Sequence, residues 1–75
     1  MSSETVVGVL TRISAPIDGI EYFFETESGE FLRIKGKPNN VPLNAKVALC
    51  LHKIGIGLYE VCNQDVPYTM LRENQ

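Results

Sequence analysis

Gly19-Ile20-Glu21-Tyr22-Phe23-Phe24-Glu25-Thr26-Glu27-Ser28-Gly29-Glu30-Phe31-Leu32-Arg33-Ile34-Lys35-Gly36 is the stretch that decides how this chain folds. Side chains along a β-strand alternate between two faces. In the first arm Ile20, Tyr22 and Phe24 fall on one side, and Glu21, Phe23 and Glu25 on the other. In the second arm Leu32 and Ile34 take the apolar side, while Phe31, Arg33 and Lys35 point outward. A one-residue slip would set core residues opposite charges, so parity determines the register of the hairpin. It predicts a loop of Glu27, Ser28 and Gly29, with Gly29 at the left-handed position that three-residue loops favour. Tyr22 then pairs with Ile34 and Phe24 with Leu32. On the outer face Phe23 meets Arg33, Glu21 meets Lys35, and Glu25 lies beside Phe31.

Before this hairpin, Glu4–Ile13 reads as a strand that is β-branched and apolar on both faces in its first half. Gly8 inside it marks a bulge or sharp coil, as where one strand bends to serve two sheets. Pro16 and Asp18-Gly19 make a turn into the second strand. After the hairpin, residues 36–44 hold two prolines and three asparagines and read as a loop. Residues 45–54 admit a helix, capped by Asn44 and ended by Gly55. The alternation of Val47, Leu49 and Leu51 with Lys46, Ala48, Cys50 and His52 favours a strand instead. A turn around Gly55 leads into a fifth strand, Leu58–Asn63, with Tyr59 and Val61 expected opposite Leu51 and Leu49. Asp65-Val66-Pro67 ends it. The tail, residues 64–75, is expected to be irregular or to make one helical turn, since Asp65 can cap and Pro67 suits a first turn.

Seventy-five residues make one small domain, with its core over about residues 4–63; such a chain buries only roughly 60% of its unfolded surface. With 44% hydrophobic and 21% charged residues the composition is globular. No apolar run approaches the ~20 residues needed to cross a bilayer, and the N-terminus lacks a basic region followed by an apolar one. A cytoplasmic location is expected. Two cysteines, Cys50 and Cys62, are few for a secreted disulfide scaffold and read as free, packed thiols. Net charge is −2 and the pI about 5.2, which argues against a protein dominated by phosphate contacts. The charge is nevertheless segregated. Residues 31–59 hold five of the seven basic residues and no acid, whereas the remaining 46 carry two bases and nine acids. Such asymmetry can aim one face at an anionic partner while the whole chain stays acidic; chance segregation in a short chain is the alternative.

Five short strands, the first long and glycine-bearing, predict an all-β protein built as a small barrel. Their number and order resemble the OB-fold, especially its smallest members, the cold-shock domains and bacterial translation initiation factor one. The loop at residues 37–44, standing where larger OB-folds carry a helix, strengthens the likeness to cold-shock domains. Tyr22-Phe23-Phe24 loosely echoes their Phe-Gly-Phe segment, without the glycine. An SH3-like barrel is the alternative five-stranded solution.

The chain reads as a binding module rather than an enzyme. His52 is its only histidine, Ser28 has no base nearby in sequence, and Gly55-Ile56-Gly57 is followed by neither a lysine nor a helix start. Cys50, His52 and Cys62 are placed to share the outer face of the last hairpin, with Glu60 or Asp65 to complete a metal set. Two packed thiols and a surface histidine are the simpler account, and no metal or cofactor is expected. The OB-fold resemblance implies that the outer face of strands two and three takes single-stranded nucleic acid. Phe23 and Phe31 would then be stacking platforms and Arg33, Lys35 and Lys37 phosphate contacts, with Lys46, His52 and Lys53 close by. The alternative partner is a protein, bound through the same aromatic face or a strand edge, a second copy of the chain included.

Overall fold

The computed structural model describes residues 3–17, 19–62, 65 and 67–71. Six strands follow one another: β1 (Ser3–Ala15), β2 (Gly19–Thr26), β3 (Phe31–Ile34), β4 (Lys46–Gly55), β5 (Leu58–Val61) and β6 (Tyr68–Met70). The sheet runs β1-β2-β3-β5-β4 and closes through a β1–β4 pairing, leaving β6 as an addition beside β4. All pairs are antiparallel except β3–β5, which is parallel. The result is a closed five-stranded barrel with one extra strand, consistent with an OB-like arrangement.

Closure depends on β1. Its first half, Ser3–Val9, pairs with β4, and its second half, Gly8–Ala15, pairs with β2. Gly8 and Val9 belong to both ladders, so the strand coils where the two halves of the barrel meet. No side chain fits there. A Cβ on Gly8 would collide with the backbone carbonyl oxygen of Glu25, and the carbonyl carbon behind it would lie at 2.9 Å.

The β2–β3 hairpin forms in the expected register, with Tyr22 opposite Ile34, Phe23 opposite Arg33, Phe24 opposite Leu32 and Glu25 opposite Phe31. Thr26 N–H donates to Glu30 O at 2.8 Å and Gly29 N–H to Thr26 O at 3.0 Å, which closes the Glu27-Ser28-Gly29 loop. Gly29 has φ +93°, a region that resists β-branched side chains. The Thr26 hydroxyl accepts from Glu30 N–H at 3.0 Å and ties the loop from inside.

Leu10, Tyr22, Phe24, Leu32, Ile34, Val47, Leu49 and Leu51 form the buried core, bordered by Val6, Val41, Tyr59, Val61 and Tyr68. Every second residue of β4 from Val47 to Leu51 is fully enclosed. Each such side chain contributes about 1.5–3 kcal/mol relative to exposure, enough to settle residues 45–54 as a strand. Loop residues 36–44 return to the barrel where Asn44 N–H donates to Leu10 O at 2.9 Å.

Several expectations are corrected. Ile20 has core parity but is 55% exposed, because the end of the β1–β2 hairpin projects past the barrel. Val61 sits opposite Leu51 and Tyr59 opposite Lys53, two residues from the expected β4–β5 register, because the chain reverses at Ile56-Gly57 instead of around Gly55, with a bulge between Lys53 and Gly55. The tail makes a strand instead of a helical turn. Tyr68, Thr69 and Met70 pair with Leu49, Ala48 and Val47, continuing along the edge of β4 that β5 leaves after Val61. Open ladder positions on β4 outweigh the local capping signal at Asp65. Finally, Cys50 and Cys62 are joined by a disulfide rather than free. As cross-strand neighbours they are held in reach of each other, and the expected cytoplasmic location loses the support of the cysteines. No helix among the described residues is long and apolar enough to cross a membrane. Asn63 and residues 72–75 lie outside the described residues.

Candidate nucleic-acid interface

Outward-facing residues of β2, β3 and β5 form one continuous surface, since the ladders set Phe23 beside Arg33 and Arg33 beside Leu58. Its end nearest the β2–β3 loop carries the rings. Phe31 is 61% exposed, an unusual position for a phenyl group, whereas Phe23 is half-buried. At the opposite end lies an open groove of about 870 Å³.

Four cations line the groove: Arg33 and Lys35 from β3, Lys37 from the following loop, and Arg12 from β1. Glu21 and Glu60 are the two carboxylates among them, so positive charge prevails. Arg33 Nη2 stands 3.6 Å from Glu21 Oε2, a diagonal pair in place of the expected Glu21–Lys35 contact. The guanidinium is more than half exposed, so this pair is worth at most about 1 kcal/mol and leaves Arg33 able to turn toward an anion. Ile20, Ile54 and Leu58, with the core residues Tyr22 and Ile34, supply the apolar part of the wall. Beyond them Ile17 and Ile56, both almost wholly exposed, occupy the tips of the β1–β2 and β4–β5 turns.

Of the residues singled out from sequence, Arg33, Lys35 and Lys37 meet in the groove, and Phe23 and Phe31 share the outer face with Arg33 and Lys35. Lys46 lies elsewhere, its Nζ 2.6 Å from Glu27 Oε2 near the β2–β3 loop. Lys53 is opposite Tyr59 and His52 opposite Glu60, and neither lines the groove. Arg12 and the isoleucines did not stand out in the sequence. Arg12 falls outside the acid-free window of residues 31–59, and only its pairing with Tyr22 brings it beside β3. Cys50, His52 and Cys62, for which packed thiols and a surface histidine were expected instead of a metal set, do come together at the β4–β5 hairpin, but the thiols are bonded to each other. Among the described residues no group of His, Cys, Asp or Glu is arranged to hold a metal ion in this state.

No protein-family model, curated protein or solved structure matches this chain.

Proposed function

We propose that this chain binds single-stranded nucleic acid across the outer face of β2 and β3. The observation that carries the reading is the juxtaposition of an exposed ring, Phe31, with a groove holding Arg12, Arg33, Lys35 and Lys37 on one side of the barrel. A single strand presents phosphates to the cations and unpaired bases to the ring, and the two kinds of contact act together. Stacking contributes about 1–3 kcal/mol per base whatever its identity. Each phosphate neutralised on a single strand adds about −0.7 to the slope of log affinity against log salt. The four groove cations therefore correspond to a slope of roughly −3.

Fluorescence anisotropy with short mixed-sequence DNA and RNA, repeated across salt concentrations, tests this. Arg33→Ala and Lys35→Ala should each weaken all sequences about equally and flatten the salt slope by about 0.7. Phe31→Ala should weaken binding without changing the slope. Absence of any binding at about 50 mM salt, where phosphate contacts are strongest, would sink the reading.

A second reading is supported by Ile17 and Ile56, whose aliphatic side chains stand in solvent at the β1–β2 and β4–β5 turns. A protein partner, a second copy of the chain included, would cover them. Its affinity would depend on these isoleucines and on Phe31, with the basic residues governing mainly the association rate.

A further inference from the structure

The outer face of the β4–β5 hairpin carries a second constellation that the groove does not use. His52 lies opposite Glu60 and Leu51 opposite Val61. One step along, Cys50 and Cys62 are cross-strand neighbours with Cα atoms 5.7 Å apart. Cys62 N–H donates to Cys50 O at 3.1 Å, and Cys50 N–H to Pro67 O at 3.1 Å. Leu51 and Val61 belong to the core side, so alternation turns Cys50, His52, Glu60 and Cys62 to the other face. Cys-x-His on one strand thus stands against Glu-x-Cys on the next. The four side chains form a two-by-two block, with neighbouring corners about 5–7 Å apart.

We propose that reduction of the Cys50–Cys62 disulfide opens a zinc site, with Cys50, Cys62 and His52 as ligands and Glu60 as the fourth. A thiol reductant supplies two electrons, two protons are taken up, the S–S bond breaks, and the reductant leaves as its own disulfide. In a second step, free of redox change, both thiols release their protons to solvent and their sulfur lone pairs form two metal–sulfur bonds. Imidazole nitrogen and carboxylate oxygen complete a tetrahedral set of the kind zinc prefers, and soft thiolates select it over calcium or magnesium. Two thiolates facing each other across one rung repel, and a dication between them removes that repulsion. The ladder already holds the four positions, so little further ordering is needed. One cross-link replaces the other: a disulfide under oxidising conditions, a metal under reducing ones. The β4–β5 turn, which gives Ile54 and Leu58 to the groove, stays stapled in both states.

The test uses the whole chain, reduced with a phosphine so that no added thiol competes for metal. Native mass spectrometry with Zn²⁺ should show one ion per reduced chain and none on the oxidised chain. Co²⁺ should give a thiolate charge-transfer band. His52→Ala and Glu60→Gln should each weaken zinc binding by roughly tenfold or more, while far-UV circular dichroism shows the sheet retained. A reduced chain that unfolds alone and regains its sheet with zinc also supports the site. No stoichiometric uptake, uptake indifferent to both substitutions, or a reduced chain that stays unfolded with zinc present would each overturn it.

Discussion

Replacing Gly8 with alanine adds one methyl group at the point where β1 passes from β4 to β2, and the effect follows from what that methyl meets. Its nearest neighbours are the carbonyl oxygen of Glu25, the carbonyl carbon at 2.9 Å and Phe24 Cε2 at 3.0 Å. Two of these belong to backbone that pairs with β1, and the third to the most deeply enclosed ring of the core. None is the free end of a flexible side chain, so relief requires β1 and β2 to separate locally. Strained insertions of this kind cost about 1–3 kcal/mol. The upper half of that range is expected here, because a ladder and the core are disturbed together. A domain of this length has roughly 4–11 kcal/mol in total. Loss of about 2 kcal/mol lowers Tm by roughly 10–15 °C at this size. Urea unfolding followed by far-UV circular dichroism should show a lower midpoint with an unchanged slope, the sign of altered stability without altered compactness. A Gly8→Ala protein melting within about 3 °C of the parent would refute the steric reasoning, since about 1 kcal/mol already shifts Tm by 4–8 °C.

The hairpin offers a second test: Gly29→Val forces a β-branched residue to φ +93° and should cost about 1 kcal/mol or more. Gly29→Asn, which tolerates the left-handed region, should cost less in the same melt. Removing the disulfide through Cys50→Ser with Cys62→Ser frees a cross-link of sequence separation 12, worth about 3 kcal/mol by loop-closure entropy. An unchanged urea midpoint would count against that linkage in the native chain. In oligonucleotide titrations Glu21→Gln should tighten binding, because it removes a groove carboxylate and releases Arg33 from its 3.6 Å partner. Weaker binding instead would show that Glu21 positions the guanidinium.

Much of the barrel was legible in the order of residues alone, because its cause is local. Period-two alternation over residues 20–25 and 31–35, with one glycine able to take positive φ, permits a single hairpin register, and that register is present. Alternation also decided residues 45–54 against a plausible helix, and Gly8 announced the coil in β1. The outward placement of Phe31, Arg33 and Lys35 came with the same parity.

Tertiary structure decided what depends on which edges remain unpaired. Residues 68–70 are too short a run to show as a strand in the sequence, yet they pair because β4 has open backbone groups after β5 departs. The turn at Ile56-Gly57, later than the one expected around Gly55, set the β4–β5 register, and that register brought Cys62 across from Cys50. Ile20 and Phe24 share a parity, but only Phe24 has a sheet packed over it, so one is exposed and the other enclosed. Arg12 reached the groove through pairing between β1 and β2 alone. Alternation tells which way a side chain points; only closure of the barrel decides what lies there to meet it.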